Sequence, residues 1–199
     1  MDILKEYRKN KKMGCSLIVV DNFYDNPMEV RQFALQQEYS EESYYPGRRT
    51  RSFACVEHKE RFQKILEPFI KKITDFPFDT DNGKFQYATS HDHSWVHYDR
   101  QGVNWAGIIY LTPDAPVESG TAFYQYIDGT MNAAESELMN SNFKLYGKDM
   151  TKWKIVDKVG NVFNRLILFD SSRYHTAVDY FGKDIYDGRL YQVFFFSTE

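Results

Sequence analysis

The period of the apolar positions changes part-way along the chain. Leu17-Ile18-Val19-Val20 is a mostly β-branched run closed by Asp21-Asn22, and it predicts a short strand. Asp25-Asn26-Pro27 then reads as a helix start with proline in the first turn. Val30, Phe33, Ala34 and the neighbouring Leu35 recur at helical spacing, which predicts a helix from Pro27 to about Glu38. Phe62, Ile65, Leu66, Phe69, Ile70 and Ile73 predict a second one between about His58 and Phe76, kinked or divided at Pro68. Between the two lies the turn signal Tyr44-Tyr45-Pro46-Gly47-Arg48-Arg49-Thr50-Arg51, readable as a loop that guides substrate or as a solvated turn.

From residue 84 onward the pattern becomes one of short strand candidates separated by turns, at about 84–89, 95–99, 104–112, 119–126, 162–170, 174–181 and 188–197. Many regularly spaced strands with little helix between them indicate a sandwich or jelly roll. The weakly periodic, polar stretch from about Asp128 to Lys152 reads as a long, partly helical insertion, a common origin of lids. The expected organisation is one domain over 1–199, with a strand and supporting helices in 1–83 and a β core in 84–199. A chain of 199 residues is of single-domain size, and its 17% of aromatic residues supply large side chains to fill a sheet interior.

Charge narrows the function classes little further. The formal net charge of -3 lacks the basic excess of a nucleic-acid binder or of a protein that adheres to anionic membranes. Cys15 and Cys55 form no C-x-x-C, so neither a disulfide framework nor a zinc knuckle is expected. The N-terminus has no apolar signal-peptide core and carries the basic cluster Arg8, Lys9, Lys11 and Lys12, read as a solvated terminus. No apolar run approaches the ~20 residues that span a bilayer. A soluble, cytoplasmic protein is the expectation.

Chemistry enters with His97-Tyr98-Asp99 on a candidate strand, where alternate side chains share a face and an imidazole and a carboxylate can converge on one ion. Alone this spacing is common, and it also fits a simple surface hydrogen bond. A second apolar run, Arg165 to Asp170, leads through a turn into His175. Two histidines and one carboxylate make the facial triad of non-haem Fe(II) sites, with coordination positions left open. Arg189 follows at the entrance of the last strand, where a guanidinium fork suits a carboxylate; an ordinary salt bridge is the plainer reading. A competing ligand set would use His91 and His93 with His175, in the manner of a cupin, and bind Zn, Mn or Fe. The polar stretch Thr89 to Ser94 otherwise reads as a solvated turn.

The ordered residues His97, Asp99, His175 and Arg189 resemble the 2-oxoglutarate- and Fe(II)-dependent oxygenase superfamily, and local detail is similar to its prolyl-hydroxylase-like branch. Ile109-Tyr110-Leu111-Thr112 resembles the branch's Tyr-Leu-Asn strand, and Ser119-Gly120-Thr121-Ala122-Phe123 its Gly-Gly-x-x-x-Phe strand entry, with Ser119 in place of the first glycine. The Trp95-Val96-His97-Tyr98-Asp99 and Asn164 to Asp170 runs are similar to bacterial and phage-type oxygenase-like proteins. The resemblance covers about 84–197. It implies a double-stranded β-helix (a cupin-like jelly roll) with the N-terminal helices packed on one sheet. It also implies Fe(II) held by His97, Asp99 and His175, and 2-oxoglutarate and O2 as co-substrates. Arg189 would hold the distal carboxylate of 2-oxoglutarate, with Tyr110 and Tyr87 contacting the same molecule. The expected activity is hydroxylation of a peptide, amino acid or other small molecule, since halogenases of the superfamily lack the carboxylate ligand that Asp99 provides. Trp95, Trp105 and Trp153 are either pocket or core aromatics, Trp153 being a candidate to close over the site. The alternative from another class is a non-catalytic β-helix serving as a binding or assembly module.

Overall fold

The computed structural model describes residues 15–41, 45–69, 72–99, 102–133 and 146–199. In chain order these form β1 (Leu17–Val20), α1 (Pro27–Leu35), β2 (Ser40–Glu41), β3 (Arg48–Arg49), α2 (Val56–Leu66), β4 (Ile73–Asp75), β5 (Phe85–Ala88), β6 (Trp105–Tyr110), β7 (Thr121–Tyr126), a 3-10 turn (Met150–Lys152), β8 (Trp153–Val159), β9 (Leu166–Asp170), β10 (His175–Ala177) and β11 (Arg189–Thr198). The larger sheet runs β1-β9-β6-β11-β5-β3-β2, with β4 on the far end of β11, and the smaller runs β10-β7-β8. Every pairing is antiparallel. The mainly β architecture of two facing sheets is the expected double-stranded β-helix.

Alternation along the central strands sorts side chains into two layers. Leu190, Phe194 and Phe196 of β11, Trp105 and Ile109 of β6, and Leu166 and Leu168 of β9 pack with Ala34 of α1 and with Phe62 and Leu66 of α2. Phe62 and Phe194 meet at 4.8 Å between ring centroids and neither is exposed. Each such burial contributes on the order of 1.5–3 kcal/mol, which holds the helices on one face of the large sheet. The intervening positions Ala106, Tyr110, Ile167, Phe169, Tyr191 and Val193 point the other way and meet Phe123 of the small sheet. The candidate site lies within this inner layer.

Both helices end earlier than their periodicity predicts. At the end of α1, Gln36 and Gln37 donate to the carbonyls three residues back, Phe33 and Ala34, which tightens and stops the helix. α2 stops at Leu66, two residues short of Pro68, whose ring cannot continue an α-helix. Instead of a helical tail to Phe76, the chain forms β4 and pairs with the end of β11. Two strand expectations also change. Residues 95–99 are extended but join the small sheet only through the bridge between His97 and His175. β8 lies inside a stretch with no predicted strand. It is an edge strand whose central residues face solvent, so its apolar pattern is weak. Its Trp153 donates through Nε1 to the Tyr146 carbonyl at 2.8 Å and packs with Val96, Tyr124 and Tyr174; it is core, and does not close over the site. Trp105 is likewise core, 5% exposed in the helix-facing layer. Residues 134–145 of the expected insertion and the N-terminal basic cluster lie outside the described residues. Among the described residues no helix is long and apolar enough to cross a membrane.

Candidate active site

His175 opens β10, the outer strand of the small sheet, and its backbone exchanges two hydrogen bonds with His97, at 2.9 and 2.8 Å. Asp99 N–H donates to the Ser171 carbonyl at 2.8 Å, out of register with that bridge but holding the segment extended, so that the His97 and Asp99 side chains fall on the same side. The ligand atoms of His97, Asp99 and His175 all lie within 4.8 Å of one another. His175 Nε2 stands 3.2 Å from one Asp99 oxygen and His97 Nε2 3.8 Å from the other. Both imidazoles have Nδ1 against a backbone carbonyl: Trp95 O at 2.8 Å for His97 and Arg173 O at 2.9 Å for His175. Nδ1 must therefore carry the proton, which leaves the Nε2 lone pairs free and aimed at Asp99. This is the outer hydrogen bonding that orients metal-binding histidines, and three donors converging with bare lone pairs fit a divalent cation of the Fe(II) type.

Electrostatics likewise favours a neutral His97. Burial, reinforced by the neighbouring His175, pushes His97 down to about 4, so its imidazole is neutral at physiological pH. Burial alone would raise Asp99, but the cationic groups that can face it, His175 when protonated and donating through Nε2, then His97 and Arg49, outweigh it and hold the carboxyl down to about 2; with neutral histidines a bound cation would take their place. Rings pack around the triad: Phe169 lies 4.6 Å and Phe123 6.1 Å from the His175 ring.

Arg189, the first residue of β11, is 1% exposed. Its donors reach the Ser119 carbonyl at 3.2 Å, the Gly120 carbonyl at 3.4 Å and Thr121 Oγ1 at 3.3 Å, all neutral acceptors. Among the described residues it forms no ion pair, so the ordinary salt bridge considered above is not made. Tyr110 is fully buried beside it and shares a 2.8 Å hydrogen bond with Thr121 Oγ1; burial raises its phenol, which stays protonated. Gly120 is required here because a Cβ would stand 1.9 Å from the Val159 carbonyl oxygen. The glycine lets β7 start close enough to β8 for its carbonyl to reach Arg189.

The expected placement of Tyr87 is not met. β5 pairs with β11 so that Gln86 lies beside Tyr191 and Tyr87 beside Leu190, which puts Tyr87 in the helix-facing layer, edge-on to Tyr39 at 5.1 Å. Its neighbour Gln86 faces the cavity instead. His91 and His93 do not join the triad either. Both are exposed on a turn held by Asp92, which accepts from Thr89 N–H at 2.7 Å and Gly47 N–H at 3.0 Å. The cupin-like ligand set is therefore not assembled.

Several site residues escaped the sequence reading. A narrow inner cavity of about 60 Å³ is lined by the triad, Arg189, Thr121, Tyr180, Tyr191 and Arg49. Tyr191 had a usable signal, being two residues beyond Arg189 on one strand and hence on its face, and its ring lies 4.5 Å from the guanidinium. Tyr180 had none, since loop conformation brings it in; Arg49 lies in the stretch read as a substrate-guiding loop or a solvated turn, and strand register is what selects it from the three arginines there. His97, Asp99, Tyr45 and Phe195 also line an open trough of about 760 Å³ with Trp95 and Tyr98.

The fold is shared with enzymes of known structure. HygX from Streptomyces hygroscopicus, solved with nickel and 2-oxoglutarate bound, matches with a TM-score of 0.64 at 11% identity, over 100% of this chain and 87% of HygX. A Pseudomonas putida prolyl-4-hydroxylase matches with a TM-score of 0.55 at 13% identity, over 92% of this chain and 93% of its own. SnoN, a non-haem α-ketoglutarate-dependent epimerase from nogalamycin biosynthesis, matches at 0.59 and 12% identity, over 92% and 78%. The fold is thus that of the 2-oxoglutarate/Fe(II) oxygenases. No curated protein matches the sequence. At the level of sequence, residues 6–196 match the model of a family of unknown function, DUF6445, and the chain belongs to that family.

Proposed function

We propose that the chain is an Fe(II)- and 2-oxoglutarate-dependent dioxygenase that hydroxylates its substrate, with peptides and amino acids the first candidates because of the prolyl-hydroxylase-like local sequence. The observation that carries this reading is one cavity holding the convergent His97, Asp99 and His175 donors and the anion-seeking Arg189. Nickel and 2-oxoglutarate in HygX, whose fold this chain shares, support it. When bound, Fe(II) with 2-oxoglutarate and O2 supplies the oxidising power to break a substrate C–H bond while the 2-oxo acid is decarboxylated to succinate.

The residues of this chain divide the remaining work. His97, Asp99 and His175 would hold the cation, three protein ligands being few enough to leave coordination positions for co-substrate and O2. Arg189 takes the distal carboxylate of 2-oxoglutarate in place of the long contacts it now makes, with the Tyr110 and Thr121 hydroxyls beside it. Phe123 and Phe169 keep water from the inner side of His175. Asp99 fills the position that halogenases leave to halide, which favours hydroxylation. Anaerobic titration with Fe(II) and then 2-oxoglutarate tests the reading: a weak visible charge-transfer band is expected in the native protein and its loss in His175→Ala. Absence of the band, or its survival in that variant, leaves the non-catalytic β-helix module as the better account.

A further inference from the structure

Arg49 is a buried cation that the metal and co-substrate reading does not use. It sits on β3 and is 6% exposed. In register across the large sheet, Arg49 pairs with Gln86, Gln86 with Tyr191 and Tyr191 with Tyr110, so the four side chains form one row on the cavity side. Arg49 Nε donates to Gln86 Oε1 at 2.6 Å, and Tyr45 stacks on the guanidinium with its ring centroid 3.4 Å from Cζ. These contacts fix the plane of the guanidinium. Among the described residues they leave Nη1 buried with no hydrogen-bond partner. The nearest carboxylate, Asp81, is 3.8 Å away, beyond hydrogen-bond reach, and is already held by Lys84 at 2.8 Å.

An unmet, buried N–H of a fixed guanidinium is costly unless something polar comes to it. Arg49 lines the same cavity as the triad and Arg189, two strands from β11. With strands roughly 4.8 Å apart and Arg189 two residues along, the two arginine Cα atoms are separated by about 12 Å. A 2-oxoglutarate chelated at the metal and anchored on Arg189 therefore has no carboxylate left for Arg49. Charge gives the same answer. Two guanidinium ions and a divalent metal face the Asp99 carboxylate and the two carboxylates of 2-oxoglutarate, which leaves one positive charge unmatched.

We infer that Arg49 is the specificity-determining residue for the primary substrate, anchoring an acidic group of that molecule, a carboxylate or phosphate, through its unpartnered Nη1. This rests on the oxygenase reading for the identity of the site. Tyr45, Trp95 and Phe195, which line the trough outside, offer apolar surface for the rest of the substrate.

The test uses protein saturated with Ni(II) and 2-oxoglutarate, so that Arg189 is occupied, and three probes of one shape: phenylacetate, phenyl phosphate and the neutral phenylacetamide. Binding is read by saturation-transfer NMR. At least one acid is expected to bind about tenfold or more tightly than the amide, and the better acid distinguishes carboxylate from phosphate. Arg49→Gln should abolish the difference and Arg49→Lys should keep part of it, while both variants bind 2-oxoglutarate within about twofold of the native protein. The inference is overturned if neither acid binds, if acid and amide bind alike, or if Arg49→Gln weakens 2-oxoglutarate as much as Arg189→Gln does. It is also overturned if neither Arg49 variant folds, which would make the arginine structural. The same titrations without 2-oxoglutarate separate the two claims. Arg49-dependent acid binding in a protein that takes up no 2-oxoglutarate would sink the oxygenase reading and leave the anion site standing.

Discussion

Replacing Arg189 with Met removes the charge while keeping much of the apolar stem, and the structure sets the size of the effect. Arg189 is 1% exposed, and among the described residues its guanidinium reaches only neutral acceptors, at 3.2 to 3.4 Å. A carboxylate brought to it would gain two charge-assisted hydrogen bonds, each on the order of 1.5–3 kcal/mol. Losing both costs about 3–6 kcal/mol, or roughly two to four orders of magnitude in 2-oxoglutarate affinity. Without 2-oxoglutarate the balance differs. Deleting an uncompensated buried charge relieves on the order of 1–4 kcal/mol. The variant also forfeits the ring contacts to Tyr191 at 4.5 Å and Tyr110 at 5.3 Å, worth about 0.5–2 kcal/mol each. The two nearly cancel, so Arg189→Met should melt close to the native protein when both are ligand-free. Only the native protein should then gain from 2-oxoglutarate, by about 2.7 kcal/mol at a hundredfold excess over Kd. Calorimetric titration and thermal melts of the Ni(II)-loaded pair, with and without 2-oxoglutarate, measure each quantity. Unchanged 2-oxoglutarate affinity, or equal losses of metal and 2-oxoglutarate binding, would refute the assignment.

Three further outcomes are expected. Asp99→Ala should lower metal affinity by at least about tenfold in an isothermal titration, whereas His91→Ala and His93→Ala, on an exposed turn, should leave it unchanged; the reverse would restore the cupin-like ligand set. His58, held by burial at about 4 against an ordinary 6.5, accepts from Cys55 N–H at Nδ1 and therefore meets the Tyr24 hydroxyl through its protonated Nε2. Because its folded-state pKa is depressed, the stability it confers is present above pH 6.5 and is lost as pH falls toward 4, about 2 kcal/mol of it by pH 5; urea denaturation at pH 7.5 and 5 should show that much less acid sensitivity in His58→Gln, and equal sensitivity would dismiss the mechanism. Gly120→Ala forces β7 away from the Val159 carbonyl and should cost more than about 2 kcal/mol in a thermal melt while also weakening 2-oxoglutarate binding, since the Gly120 carbonyl contacts Arg189.

What the sequence by itself determined was local and periodic. His97 and Asp99 share a side because the backbone there is extended, and Arg189 stands at the head of an apolar strand, as their spacing required. The sheet-facing stripe of α2 was legible for the same reason, up to the proline that ends it. The tertiary structure decided what depends on register and on which strand lies beside which. Both faces of the large sheet are buried, one under the helices and one against the small sheet, so alternation alone does not say which face holds the site. That is why Tyr87, beside Leu190, turns toward the helices and Gln86 takes the cavity; a one-residue shift in register would exchange them. The polar edge strand β8 could be recognised only against its partner β7. Arg49 is the plainest case. In the sequence it is one of three arginines in a turn, and only the pairing of β3 with β5 buries it beside the triad with a donor left over.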